Sequence, residues 1–294
     1  MTNKPIHIFG DSFSFCPQDS DNSNDWKSWP DQLAEEFVVK NYSFGGSGHF
    51  LMFDMFQQIL ENNEFKENDK IIFVLSSSFR IYFDFLEAPN FNNVPFLFYD
   101  LFKNKRYDEL EDLLDSYDLF SESILERQND FISKLLDNKE FFMRFFDMMC
   151  PNLIYQNNKN ITYLKYISEK YKLKILTFRC FNESEHKFER TYVNKKLDFW
   201  NHLWKNNQED NFTKVRPISS EDVNSKYFRL IDDYLDEVSG GEQEVRDEYK
   251  KCHMIQENNQ IMVNIVNNFF HNGNFSEKFL TSGKSTKSKP YIYE

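Results

Sequence analysis

Three short apolar runs, PIHIF at 5–9, FVVKN at 37–41 and IIFVL at 71–75, are separated by stretches with apolar residues at helical spacing. Trp29, Leu33 and Phe37 recur at that spacing between the first two runs, behind a Ser28-Trp29-Pro30 start that suits a first helical turn. A second helix is expected from about residue 51 to 62. Strand, helix, strand, helix, strand within eighty residues predicts a parallel sheet covered on both faces. Right-handed crossovers then favour a doubly wound, three-layer α/β/α architecture.

Glycine usage points to where such a sheet would keep its site. The chain has 294 residues, of which 8 are Gly, against roughly 21 at average composition. Gly10, Gly45, Gly46 and Gly48 fall at the ends of the first two expected strands, the edge at which open α/β sheets bind ligands. The remaining residues are bulky, with 33 Phe and 15 Tyr, which supplies a core and excludes collagen-like, low-complexity and globally disordered readings.

Later segments continue the pattern less regularly. From about 94 to 150 the sequence is acidic and helical in pattern, with no strand, and reads as a helical insertion. A helix over 161–171 leads into a strand, LKILTF at 173–178. The polar stretch at about 180–250 reads as a second insertion whose elements the pattern does not assign, although KYFRLIDDYL is an apolar island within it. A last helix at about 257–270 carries Ile261, Met262, Ile265, Val266 and Phe269 on one face. Residues 1–280 are thus expected to form one domain, with a flexible tail at 281–294.

Charge and cysteine usage narrow the partners. Thirty-five basic and 47 acidic side chains give a net charge of −12, which repels phosphate backbones and anionic lipids, so neither nucleic acid nor a membrane is an expected partner. The oligomeric state is left open. Cys16, Cys150, Cys180 and Cys252 are far apart and suit free thiols better than a metal site, and no metal or cofactor is expected. No apolar run spans a bilayer and the start lacks a signal-peptide pattern, so the expected location is the cytoplasm, or a virion or host-cell interior.

The chemistry resides in FGDSF at 9–13. A serine just past a buried strand, at the entry to a helix, presents its hydroxyl at the sheet edge, and its own N–H, an unpaired donor of a helix start, can face a developing oxyanion. Ser12 is the candidate nucleophile, with Asp11 beside it as a candidate substrate contact. NYSFGGSG at 41–48 brings glycines to the same edge, where Gly46 can offer a second N–H and His49 can line the site. The serine needs a base. Of six histidines, His253 stands on a loop immediately before the last helix, whereas His7 lies within the first strand.

FGDSFSF at 9–15, the run SWPDQLAEEFVVKNYSFGGSG at 28–48 and the His253 segment together resemble the GDSL/SGNH hydrolase family, and more narrowly its bacteriophage-type members. The resemblance covers roughly residues 4–80, 161–178 and 247–270. It implies a flavodoxin-like fold and serine esterase chemistry, in which Ser12 is nucleophile and first oxyanion donor, Gly46 the second donor and His253 the base. Two positions depart from the family pattern. Ser78 takes the place of the family's oxyanion asparagine, with Arg80 close behind as a candidate substrate contact, and Lys250 stands where the family has its aspartate. Asp247 is the candidate acid in its stead, with Glu248 beside it or a backbone carbonyl as the alternatives. The expected substrate is a small-molecule or carbohydrate ester with a short acyl group such as acetyl. The alternatives are a catalytically weak or inactive SGNH-fold binding module and an O-acyltransferase using the same serine.

Overall fold

The computed structural model describes residues 4–15, 27–78, 80, 133–134, 137–181, 218–235, 254 and 256–272. Five strands, β1 (Ile6–Phe9), β2 (Val39–Asn41), β3 (Lys70–Leu75), β4 (Lys174–Arg179) and β5 (Phe228–Ile231), form one sheet. All four pairings are parallel, and the order is β2-β1-β3-β4-β5. That is the flavodoxin-like doubly wound order, whose direction of winding reverses between β1 and β3.

The helices are α1 (Trp29–Ala34), α2 (His49–Glu61), α3 (Lys139–Tyr171), the single turn α4 (Ser220–Val223) and α5 (Gln256–Asn272). Side chains alternate across the strands, so each face of the sheet packs its own helices. Ile6, Ile8, Ile72, Val74, Leu176 and Phe178 point to one side, where Leu33 of α1 and Met262, Val266 and Phe269 of α5 cover them. Phe9, Ile71, Phe73, Leu75 and Ile175 point to the other, against Phe56 of α2 and Ile161, Leu164 and Ile167 of α3. The expected three-layer α/β fold is therefore present. Burying apolar area on both faces stabilises it by about 25 cal/mol per Å² removed from water.

Local chemistry explains several boundaries. Ser28 caps α1 through its hydroxyl, which accepts from Asp31 N, and Pro30 occupies the first turn. Helix α3 ends where Lys172 adopts a left-handed conformation (φ 52°).

Some expectations shift. Helix α2 begins at His49 rather than near residue 51, so His49 belongs to its first turn. Helix α3 runs unbroken from 139, through Pro151, to 171, joining the end of the expected helical insertion to the helix that precedes β4. The polar stretch after residue 180 contains a core element, because Phe228–Ile231 of the KYFRLIDDYL island is β5. The greater part of both expected insertions, and the tail at 281–294, lie outside the described residues. Among the described residues, no helix is long and apolar enough to cross a membrane.

Candidate functional site at the end of the first three strands

The register aligns Ile8 with Asn41 and Phe9 with Phe73, so the loops leaving β1, β2 and β3 emerge together at the reversal point. Strand β1 runs into Gly10, where a Cβ would stand 2.1 Å from Ser14 Oγ and 2.8 Å from Val74 Cβ. Only glycine fits there without displacing its neighbours. The chain then makes one helix-like turn, with Ser14 N and Phe15 N both donating to Asp11 O at 3.0 and 2.9 Å. Asp11 Oδ1 caps that turn by accepting from Phe13 N at 3.0 Å. The turn sends Phe13 and Ser14 into the core and leaves Ser12 half-buried. Among the described residues the Ser12 hydroxyl has no hydrogen-bond partner.

The β2 loop is stitched to this turn at several points. Asn41 Nδ2 donates to Ser14 O at 2.7 Å, while its Oδ1 accepts from Ser43 N at 3.0 Å. Ser14 Oγ donates to Ser43 Oγ at 2.9 Å, and Ser47 Oγ to Gly10 O at 2.9 Å. Ser47 N returns to Phe44 O at 3.2 Å, closing a tight turn in which Gly46 has φ 74°. A positive φ at that third turn position favours glycine. The loop carrying Gly46 is thus fixed against the loop carrying Ser12 by hydrogen bonds that are mostly buried.

Asp11 and Arg80 were expected to meet substrate, and instead they face each other inside the protein. Arg80 Nη1 lies 2.9 Å from Asp11 Oδ2, with the two side chains 1% and 0% exposed. The same nitrogen donates to Ser47 O at 3.1 Å, and the guanidinium stacks 5.1 Å from the centre of the Phe181 ring. Cys180, a buried free thiol after β4, lies 3.6 Å from Asp11 Oδ1. Burial without pairing would cost several kcal/mol per charge, which is why aspartate and arginine turn toward one another here. Their position makes them a brace beneath the site, joining four strand-end loops.

No protein-family model and no curated protein matches this chain.

At the end of β3, Ser76 and Ser78 are both buried. The Ser76 hydroxyl has no partner among the described residues, while its carbonyl accepts from His49 Nε2 at 2.7 Å. That bond fixes the His49 tautomer with the proton on Nε2 and a lone pair on Nδ1. Burial pushes the His49 pKa down to about 4; the carbonyl of Ser76 and the charge of Asp11 oppose that shift, and Arg80 and Arg179 reinforce it. At neutral pH the ring is uncharged and weakly basic, suited to hydrogen bonding more than to proton abstraction. His49 also forms the end of a groove of about 400 Å³ between α2 and α3, with Phe50, Phe53, Gln57, Asn160 and Tyr163 along its walls. Tyr163 Oη donates to Gln57 Oε1 there at 2.7 Å.

Of the predicted site residues, Asp11, Ser12, Gly46, Ser78 and Arg80 stand on the loops after β1, β2 and β3, and His49 opens α2 directly behind the second of these loops. His253 and Asp247 lie outside the described residues. Met254, which follows His253 in the chain, is fully buried in the core cluster that contains Phe13 and Cys180. His7, expected within the sheet, is buried in β1, and burial lowers its pKa. Among the described residues no cluster of His, Cys, Asp or Glu could hold a metal ion.

Sequence reading missed the roles of Ser14, Ser43 and Ser47. A dense run of small hydroxyl residues around glycines was the available signal, since such side chains readily satisfy loop backbone. Cys180 carried no signal at all, because its partner stands 169 positions away.

Proposed function

We propose that the chain is a serine esterase of the SGNH type, acting on a short-chain or carbohydrate O-acyl ester. The observation that carries this reading is Ser12 on a one-turn cap after the interior strand β1, its loop hydrogen-bonded to the Gly46 loop at the point where the winding of the sheet reverses. Asn41, Ser14, Ser43 and Ser47 supply the rigidity that a preorganised oxyanion site requires.

In this mechanism His253 accepts the proton of Ser12 Oγ as the oxygen attacks the ester carbonyl carbon. The tetrahedral oxyanion is held by the N–H groups of Ser12 and Gly46, with the Ser78 hydroxyl as third donor. Collapse of the intermediate expels the alcohol, which takes the proton from His253 and leaves an acyl-serine. Water, deprotonated by His253, then releases the acid and frees Ser12. Asp247 orients the imidazole. Neutral His49 lines the site, and the groove it shares with Phe50 and Tyr163 offers aromatic and amide groups to the alcohol or sugar portion of the substrate. Asp11 and Arg80 act from beneath by keeping the loops in register. A cell or virion interior is the location proposed with this reading, an environment in which Cys180 stays a thiol.

Hydrolysis of p-nitrophenyl acetate by wild type and by Ser12→Ala tests the proposal. Ser12-dependent turnover is the expected result. Equal rates in the two proteins would return the chain to the reading of a non-enzymatic binding module.

A further inference from the structure

A continuous chain of buried hydrogen bonds links the residue after Ser12 to the residue after His253. Trp29 Nε1 donates to Phe13 O at 2.8 Å. Trp29 N, at the start of α1, donates to Asn259 Oδ1 at 2.9 Å. Asn259 Nδ2, in the first turns of α5, donates to Met254 O at 2.9 Å. Trp29, Asn259 and Met254 are all fully buried, and Phe13 nearly so.

Each link uses a group that would otherwise be costly in the core. The first N–H groups of a helix have no partner within it, and Asn259 supplies one to Trp29 across 230 positions of sequence. An indole N–H buried beside aliphatic side chains requires an acceptor, and the carbonyl of Phe13 is that acceptor. An asparagine is the side chain that can accept from one backbone segment while donating to another. Leucine would fill the volume and aspartate would keep the shape, but neither can do both.

Resting on the esterase reading, we infer that Trp29 and Asn259 are positioning residues of its active site. They tie the backbone at Phe13, next to Ser12, to the backbone at Met254, the residue that follows His253 in the chain. Successive Cα atoms are about 3.8 Å apart, so fixing the carbonyls of Phe13 and Met254 constrains where the adjacent nucleophile and base are launched. The sheet alone does not impose this constraint, because Met254 lies outside its five strands. Misplacement of a reacting group by about 1 Å can cost about 10²-fold in rate, and the relay suppresses movement on that scale.

Asn259→Asp, which keeps the shape of the side chain, and Trp29→Phe, which removes the indole N–H, test the relay. Asn259→Asp is expected to lower kcat for p-nitrophenyl acetate, and the rate of fluorophosphonate labelling, by about 10²-fold with KM within twofold of wild type. Trp29→Phe is expected to fall similarly. The double variant should lose little more than the worse single one, since both break one chain. Val266→Ala, elsewhere on α5, controls for stability and is expected to lower Tm while kcat stays unchanged. If Ser12→Ala abolishes activity while Asn259→Asp and Trp29→Phe retain wild-type kcat, the relay is overturned and the esterase reading stands. If kcat falls only in proportion to the loss of folded protein, the two residues are merely structural and the inference fails. Activity indifferent to Ser12 would remove the esterase reading and the relay together.

Discussion

Asp11 Oδ2 and Arg80 Nη1 meet at 2.9 Å with both side chains out of contact with water, and the same guanidinium nitrogen holds Ser47 O. This pair ties the Ser12 loop to the Gly46 loop from below. Arg80→Met leaves the Asp11 carboxylate buried without its charge partner, and removing one member of such a pair costs about 3–5 kcal/mol. Urea unfolding should show that loss, and Asp11→Asn added to Arg80→Met should recover a substantial part of it. Equal stability of wild type and Arg80→Met would mean that the brace carries no weight.

The glycines of the second loop differ in what they tolerate. A Cβ at Gly48 would stand 2.6 Å from the backbone oxygen of Arg80, whereas one at Gly45 meets only the Phe15 ring at 3.5 Å. Gly48→Ala should therefore destabilise by about 1–3 kcal/mol, the range for overpacking, and Gly45→Ala by no more than about 0.5 kcal/mol. Chemical denaturation of the two variants distinguishes them, and a reversed ranking would contradict the loop geometry.

His49 gives the fold a pH dependence. Its pKa is about 4 when folded against an ordinary value of 6.5, so the unfolded chain binds the proton more readily. Its contribution to stability is fully present above about pH 6.5 and is lost progressively as the pH falls toward 4. His49→Gln retains an N–H for Ser76 O without a group that titrates there. The difference in Tm between wild type and His49→Gln should shift in favour of the variant from pH 7 to pH 4.5, and a constant difference would contradict the burial of the ring.

The acid behind the base is open to a direct kinetic test. Asp247→Asn is expected to lower kcat, by up to about 10⁴-fold if it orients His253 as an acid of a serine triad does, with Tm unchanged. An unchanged kcat would assign that role to another group, such as a backbone carbonyl.

The fold was legible where periodicity was strong. Runs such as IIFVL and the apolar face of α5 need no distant information, because alternation and helical spacing are local. β5 was not read as a strand because its four residues sit in a charged neighbourhood, and only pairing with β4 makes them one. The candidate site was legible as far as Gly10, Ser12 and the glycine loop, since turn chemistry marks those positions. The inward facing of Asp11 and Arg80 was not, because a charged residue near a site reads as a substrate contact until its partner, 69 positions away, is seen. The Trp29–Asn259 contact is hidden for the same reason.

In the proposed mechanism Ser12 is an activated nucleophile with His253 as its base. Treatment with a fluorophosphonate followed by peptide mass mapping tests it most directly. A single adduct on Ser12 is expected in wild type, with no adduct in Ser12→Ala and slow labelling in His253→Ala. A wild-type protein that is not labelled at Ser12, or is labelled there equally fast without His253, would contradict it.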